Sequence, residues 1–310
     1  MNDIPRELQG LSDPAFQELA NASLIVAATD VRILLYGEAG TGKAAMAQAI
    51  HRVSRRSAGP FVAVNCVSIS GDLAESRVFG GSVESRGFLR AAEGGTLFLE
   101  EVDALSLQMQ AKLLGFLESG CFLPVNGLEP VDADVRVIAA TSQDLERMVR
   151  EGTFRRDLQM SLGVVPLKLP SLRERRADIL PLLDRFVAEA AAEHGLPRPT
   201  FSRDTRRRLK SYDWPGNLTE LRNLAERLTI LVGGREVSPT NLPAELRGTH
   251  APGTSHGFVL PGEGVILDEV EAGLIRQALE RTGGNRSRAA RLLGLSRDTF
   301  LYRMKKYAIH

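Results

Sequence analysis

The chain has 310 residues, 43% hydrophobic and 25% charged, with 29 glycines and 15 prolines, enough apolar material for a full core and for more than one domain, which excludes a disordered chain or a minimal scaffold. Its 39 Lys and Arg against 38 Asp and Glu leave a formal charge of +1, yet Arg281 to His310 alone holds eight basic residues and one acid, Asp298. That local +7 leaves −6 for the rest, so an acidic body carries a basic C-terminal end, where a polyanion is expected to bind.

In chain order, Val31 to Tyr36, Phe61 to Asn65, Thr96 to Leu99 and Val135 to Ala140 are short apolar runs bounded by glycine or turn residues. Helical periodicity fills the intervals, which predicts a parallel sheet with helices on both faces over residues 1–171. Over residues 172–246 the strand signal stops, and helical patterns broken by Pro197, Pro215 and Pro243 predict a small all-helical unit. Residues 247–264, RGTHAPGTSHGFVLPGEG, have no periodicity and read as a flexible linker. Residues 265–310 are helical again, with Gly283-Gly284 and Gly294 as stops. Cys66 and Cys121 are too few for a metal-ligand pair or a disulfide framework, which fits a reducing compartment. There is no apolar run of roughly 18 residues and no leader pattern in MNDIPRELQG, so a soluble, cytoplasmic protein with no membrane partner is expected.

The strand VRILLY runs directly into Gly37-Glu38-Ala39-Gly40-Thr41-Gly42-Lys43-Ala44, and Ala45 to Val53 continue as a helix. Strand, glycine loop and helix in this order make a phosphate site: the glycines let backbone N–H groups converge, the helix start adds partial positive charge, and Lys43 reaches the terminal phosphates. The strict pattern ends in Ser or Thr, whose hydroxyl helps hold Mg²⁺, and Ala44 has none. A second site follows in Gly94-Gly95-Thr96-Leu97-Phe98-Leu99-Glu100-Glu101, where an apolar strand delivers two acids to the carboxyl edge of the sheet. Glu100 is the candidate magnesium residue, and Glu101 is the candidate to orient or deprotonate a water.

Taken together, GEAGTGKA, FVAVNC, GGTLFLEEV, VRVIAAT, LPSLRERRADI and WPGNLTELRN resemble the AAA+ domain of bacterial enhancer-binding proteins, the NtrC-type sigma-54-dependent activators, in order and over about residues 8 to 246. The resemblance implies an α/β P-loop AAA+ fold with a helical lid, ATP or ADP with Mg²⁺ as ligand, assembly into rings such as hexamers, Glu101 as catalytic glutamate and Asn65 as the residue that positions it. It also exposes departures. In the family a long hairpin bearing GAFTGA contacts sigma-54; here Glu75-Ser76-Arg77-Val78-Phe79-Gly80 is followed by only Gly81 to Arg86 before Gly87-Phe88-Leu89. Glu100 replaces an aspartate, and Ser142 replaces the asparagine after the sensor-strand threonine. Phe154-Arg155-Arg156-Asp157-Leu158-Gln159-Met160-Ser161-Leu162 keeps the first arginine but has Ser161 at the trans-acting finger, and Thr219 stands at the lid's nucleotide-sensing arginine. Arg155, Arg156 and Arg222 are the neighbouring arginines available to compensate. A finger is worth about 10³ to 10⁵ in rate, so binding is expected to outlive hydrolysis.

Leu267, Val270, Leu274, Ile275, Ala278 and Leu279 form an i, i+3, i+4 stripe suited to self-association. Two short helices follow, capped by Asn285 and Ser296 and joined at Gly294, a helix-turn-helix pattern. GGNRSRAARLLGLSRDTFLYRMKKY resembles the Fis-type module that ends these activators. Arg297, Thr299 and Arg303 are the candidates for base edges or adjacent phosphates; Arg286, Arg288, Lys305 and Lys306 are the candidates for phosphate alone. A dimer would set two recognition helices about 34 Å apart, so a palindromic operator in double-stranded DNA is expected.

The expected function is a DNA-binding transcriptional regulator with a degenerate AAA+ domain, acting with RNA polymerase but without sigma-54, either by activating a housekeeping-sigma promoter or by repressing through occupancy. Two alternatives stay open: a working ATP-hydrolysing activator, and an oligomerisation scaffold with an empty pocket. Some family members without GAFTGA respond to cyclic di-GMP, so the resemblance adds it as a second candidate ligand beside ATP. Arg155, Arg173, Arg175 and Arg176 are available to stack on guanine, with lid and interface salt bridges as the other role. Because the AAA+ block starts near residue 8, the signal is expected to enter through it, through a partner, or through a segment outside these residues.

Overall fold

The computed structural model describes residues 13–69, 74–80, 87–125, 127–247, 267–307 and 309. Residues 81–86, where the shortened hairpin falls, and most of the expected linker, 248–264, lie outside them. Contacts divide the chain into two units, Met1–Thr249 and His250–His310.

The first unit begins with α1 (Pro14–Ala27), β1 (Ile33–Tyr36), α2 (Lys43–Arg52), β2 (Phe61–Asn65), α3 (Ala74–Phe79), α4 (Gly87–Ala91) and β3 (Thr96–Glu100). It continues through α5 (Leu107–Ser119), β4 (Cys121–Phe122), β5 (Val131–Asp132), β6 (Arg136–Thr141), α6 (Leu145–Arg150), α7 (Arg156–Leu162) and β7 (Val165–Lys168). The five-stranded sheet has the order β2-β3-β6-β1-β7, and every pairing in it is parallel. Because alternate residues of a strand face opposite sides, Ile33, Leu35, Phe98, Ile138 and Ala140 enter one core while Leu34, Leu97, Leu99, Val137 and Ala139 enter the other. A sheet buried on both faces needs near-continuous apolar strands, and these runs supply them.

The lid comprises α8 (Ile179–His194), β8 (Thr200–Phe201), α9 (Arg203–Ser211), α10 (Asn217–Val232) and β9 (Glu236–Val237). It is not all helical: β8 and β9 form a two-residue parallel pair, too short for a periodicity to register. Leu182, Phe186, Trp214 and Leu228 share one core with Ile33 and Leu35 of the sheet, so the lid and one sheet face pack as a continuous body. That continuity holds the lid over the carboxyl ends of the strands. No described helix is long and apolar enough to cross a membrane.

The second unit contains α11 (Leu267–Arg281), α12 (Arg286–Leu292) and α13 (Arg297–Lys306). Asn285 Oδ1 accepts from the Arg288 N–H at 3.1 Å, Ser296 Oγ accepts from the Thr299 N–H at 3.2 Å, and Gly294 turns the chain at φ +65°. Ile275 and Ala278 pack with Ala289, Ala290, Phe300 and Met304. Part of the stripe expected to self-associate thus also closes the three-helix core, since helices this short need a third wall to bury Phe300, while Leu274 of that stripe stays exposed.

Candidate functional site

The phosphate loop sits at the carboxyl end of β1, against the lid. Gly40 (φ +76°) and Gly42 (φ +99°) adopt the left-handed backbone that glycine tolerates, and a Cβ on Gly40 would lie 2.4 Å from the Gly216 carbonyl oxygen. The first bond of α2 runs from the Met46 N–H to Gly42 O at 3.0 Å, so the N–H groups of Gly42, Lys43, Ala44 and Ala45 have no acceptor within the helix, the condition for anion binding at a helix start. Lys43 is buried and donates to Gly37 O (2.9 Å) and Glu38 O (3.2 Å), and its Nζ stands 3.5 Å from Glu101 Oε1. The Thr41 hydroxyl donates to Glu38 O at 2.8 Å.

Loop and lid enclose a cleft of about 1040 Å³, at the upper end of the range for small-molecule sites. Ala39 to Ala44, Asn65, Glu100 and Glu101 line it, so it collects most of the expected nucleotide residues. Glu101 (φ +51°) receives the Ser142 N–H (3.0 Å) and the Ser142 hydroxyl (2.7 Å) on Oε2. Asn65 shares the cleft, but its Oδ1 caps its own turn, accepting from the Val67 N–H at 2.9 Å; Ser142 is the side chain that holds Glu101. The donors fit a phosphate-bound magnesium: Glu100 ends β3 beside the loop, and among the described residues no group of three or more His, Cys, Asp or Glu offers a site made by protein alone. A hard cation here would share carboxylate, water and phosphate oxygens.

The cleft also gathers Arg52 and Arg185, which sequence reasoning did not place there, beside Thr219, Arg175 and Arg222, which it had weighed for the nucleotide. Arg222, one turn beyond Thr219, lies 4.6 Å from the Phe186 ring centroid and 3.7 Å from Glu189. Spacing was the available signal, since residues three apart share a helix face. Glu38 points to the lid, where Arg173 and Asn217 hold its carboxyl down at about 2. Arg176 pairs with Asp213 at 2.6 Å, Arg155 pairs with Asp157 at 2.6 Å, and Arg175 is 1% exposed, its guanidinium held down at about 10 by burial. The arginines considered for guanine stacking are therefore engaged within the protein. Burial and the neighbouring acids push the Cys66 thiol up to about 12.

In the second unit Arg286, Arg288, Arg297 and Lys305 are exposed, with no ion pair among the described residues, and Thr299 is half-buried. Arg303 and Lys306 differ: Arg303 pairs with Glu271 of α11, and Lys306 pairs with Asp268 at 2.9 Å. Tyr302, on the same helix but not among the candidates for DNA contact, is 70% exposed.

Known proteins share this architecture. Residues 10–168 match the sigma-54 interaction domain, residues 173–257 the AAA+ ATPase lid domain, and residues 266–307 the Fis family of bacterial regulatory proteins. The phenol regulator MopR of Acinetobacter guillouiae is 40% identical over 309 residues, covering 95% of this chain and 55% of that protein. The nitrogen fixation protein AnfA of Azotobacter vinelandii is 39% identical over 313 residues, covering 98% and 58%. The chain thus spans little more than half of these two relatives. NtrX from Brucella abortus, solved in complex with ATP, superposes with a TM-score of 0.73 at 36% identity, covering 97% of this chain and 70% of that one. The chain belongs to the sigma-54 interaction domain family of transcriptional regulators, with an AAA+ lid and a Fis-type DNA-binding helix-turn-helix.

Proposed function

We propose that this chain is a cytoplasmic, DNA-binding transcriptional regulator whose AAA+ cleft binds ATP or ADP with Mg²⁺ and turns it over slowly, and that it acts on RNA polymerase without driving the sigma-54 form. The observation that carries this is the interval between Gly80 and Gly87. A Cβ on Gly87 would stand 2.4 Å from Gly80 N, so the two ends meet, with six residues between them. An out-and-back path of that length reaches about 12 Å at most, too little for the protruding lever that the family presses against sigma-54.

Ser161 in place of the trans-acting arginine supports slow turnover. The Lys43, Glu101 and Ser142 arrangement supports nucleotide occupancy, in which Lys43 leaves the loop carbonyls for phosphate oxygens and Ser142 keeps Glu101 beside them. NtrX, crystallised with ATP and with ADP, makes adenine nucleotide the favoured ligand here. The engagement of Arg173 and Arg176 by acids favours it over cyclic di-GMP. On DNA the chain acts as a dimer at a palindromic operator, and the AAA+ units assemble into a ring such as a hexamer. The test is calorimetry of the full chain with Mg-ATP, ADP and cyclic di-GMP, followed by phosphate release with and without operator DNA. The reading expects ATP and ADP to bind and release to stay below about 1 s⁻¹, the low end of ordinary enzyme turnover. Faster release that disappears in Glu101→Gln would make this a working motor; tight binding of cyclic di-GMP alone would make it a different sensor.

A further inference from the structure

Each backbone carbonyl from Gly37 to Gly42 accepts a hydrogen bond from the protein. Those of Gly37, Glu38 and Gly42 are satisfied locally, by Lys43, Thr41 and Met46. The other three are taken from far along the chain. Ala39 O accepts from Asn217 Nδ2 at 2.9 Å, Gly40 O from the Leu218 N–H at 2.8 Å, and Thr41 O from an Arg175 guanidinium nitrogen at 2.9 Å. Asn217 and Leu218 open α10 in the lid, and Arg175 lies in the segment that enters it. A trans peptide points its N–H away from its C=O, so capturing carbonyls 39, 40 and 41 from the lid side turns the N–H groups of residues 40, 41 and 42 away from the lid contacts.

Asn217 is committed to this task. It is wholly buried and left-handed at φ +50°, a conformation that asparagine tolerates better than most residues. Besides Ala39 O, its Nδ2 reaches Glu38 Oε2 at 3.2 Å, while its Oδ1 accepts from the Leu172 N–H at 2.8 Å. One amide thus joins loop, lid and connecting segment. Arg175 is buried with its guanidinium 4.4 Å from the Phe16 ring centroid, which fixes the plane from which it reaches Thr41.

We propose that Asn217 and Arg175 are positioning residues of the phosphate site: they hold the loop in its binding shape from the lid side, so that phosphate affinity depends on lid contacts and not on the loop sequence alone. This rests on the reading that the cleft binds adenine nucleotide.

The experiment is calorimetry of Mg-ATP on the full chain, at a temperature where every variant is folded by circular dichroism. Asn217→Asp keeps the acceptor for Leu172 but turns a carboxylate oxygen toward Ala39 O and Glu38; the dissociation constant is expected to rise at least about tenfold, the scale of one hydrogen bond to a charged group. Leu228→Ala, within the lid core and remote from the loop, lowers melting temperature and is expected to leave affinity within about twofold. A smaller rise in Asn217→Asp, or an equal loss in Leu228→Ala, overturns the proposal while nucleotide binding stands. Failure of the unaltered chain to bind Mg-ATP removes the reading and the proposal together. Should Asn217→Asp not fold, Asn217→Gly, free at the same φ, decides by the same criterion.

Discussion

Removing Lys305 and removing Arg303 separate DNA contacts from internal ties on the same helix. Arg286, Arg288, Arg297 and Lys305 are exposed, whereas Arg303 and Lys306 pair with Glu271 and Asp268 of α11. Each phosphate neutralised contributes about −0.9 to the slope of log affinity against log salt. The four unpaired candidates give about −3.6 per protomer, or about −7 for a dimer; counting all six basic candidates gives about −11. Fluorescence anisotropy of operator DNA, titrated across salt concentration, reads the slope directly. Lys305→Ala is expected to flatten a dimer's slope by about 1.8, and Arg303→Ala to leave the slope unchanged while lowering the melting temperature of the C-terminal unit. A parent slope near −11, flattened by Arg303→Ala, would mean that the pairs with α11 dissolve on DNA and that Arg303 contacts phosphate, the opposite of this division of labour.

Other consequences are simpler to read. Burial holds the His51 imidazole below its ordinary 6.5, and Nδ1 lies 2.9 Å from Thr96 Oγ1. The unfolded chain therefore binds more protons below that pH, and the His51 contribution to stability, complete above pH 6.5, is lost as pH falls toward the folded value. Melting temperatures between pH 7 and 5 should fall less steeply in His51→Gln, and an unchanged slope would exclude His51 as the cause. Cys66, 1% exposed and with its thiol pushed up to about 12, should resist alkylation at pH 8 until the protein unfolds; labelling of the native chain at Cys66, seen by peptide mass, would contradict the buried site. Trp214, the sole tryptophan, is fully buried and donates to Leu209 O at 2.9 Å. Trp214→Ala should cost about 3 to 5 kcal/mol in chemical denaturation, and a loss under about 1 kcal/mol would mean that the lid does not share the sheet's core.

Four runs were legible: β1, β3 and β6, inside the sheet, are apolar on both faces, and β2, at its edge, still presents Phe61, Val62 and Val64 in a short run. The sequence did not reveal β7, where Pro166 interrupts the pattern; as the last strand in the order, β7 bonds only to β1 and tolerates a missing N–H. The phosphate loop was legible because its donors are contiguous. Its lid-side supports were not: Asn217 and Arg175 stand 178 and 134 residues away from the carbonyls they hold, and no local spacing encodes such contacts. The same holds for Ser142, whose hold on Glu101 follows from the β3–β6 pairing, and for Arg303, whose partner lies on another helix.

The central claim is tested most directly by promoter melting in a reconstituted system of this chain, Mg-ATP, operator-bearing DNA and sigma-54 RNA polymerase, with permanganate reactivity as the readout. The account predicts an occupied operator and a promoter that stays closed. Melting that requires this chain and ATP, and that is lost in Glu101→Gln, would contradict it.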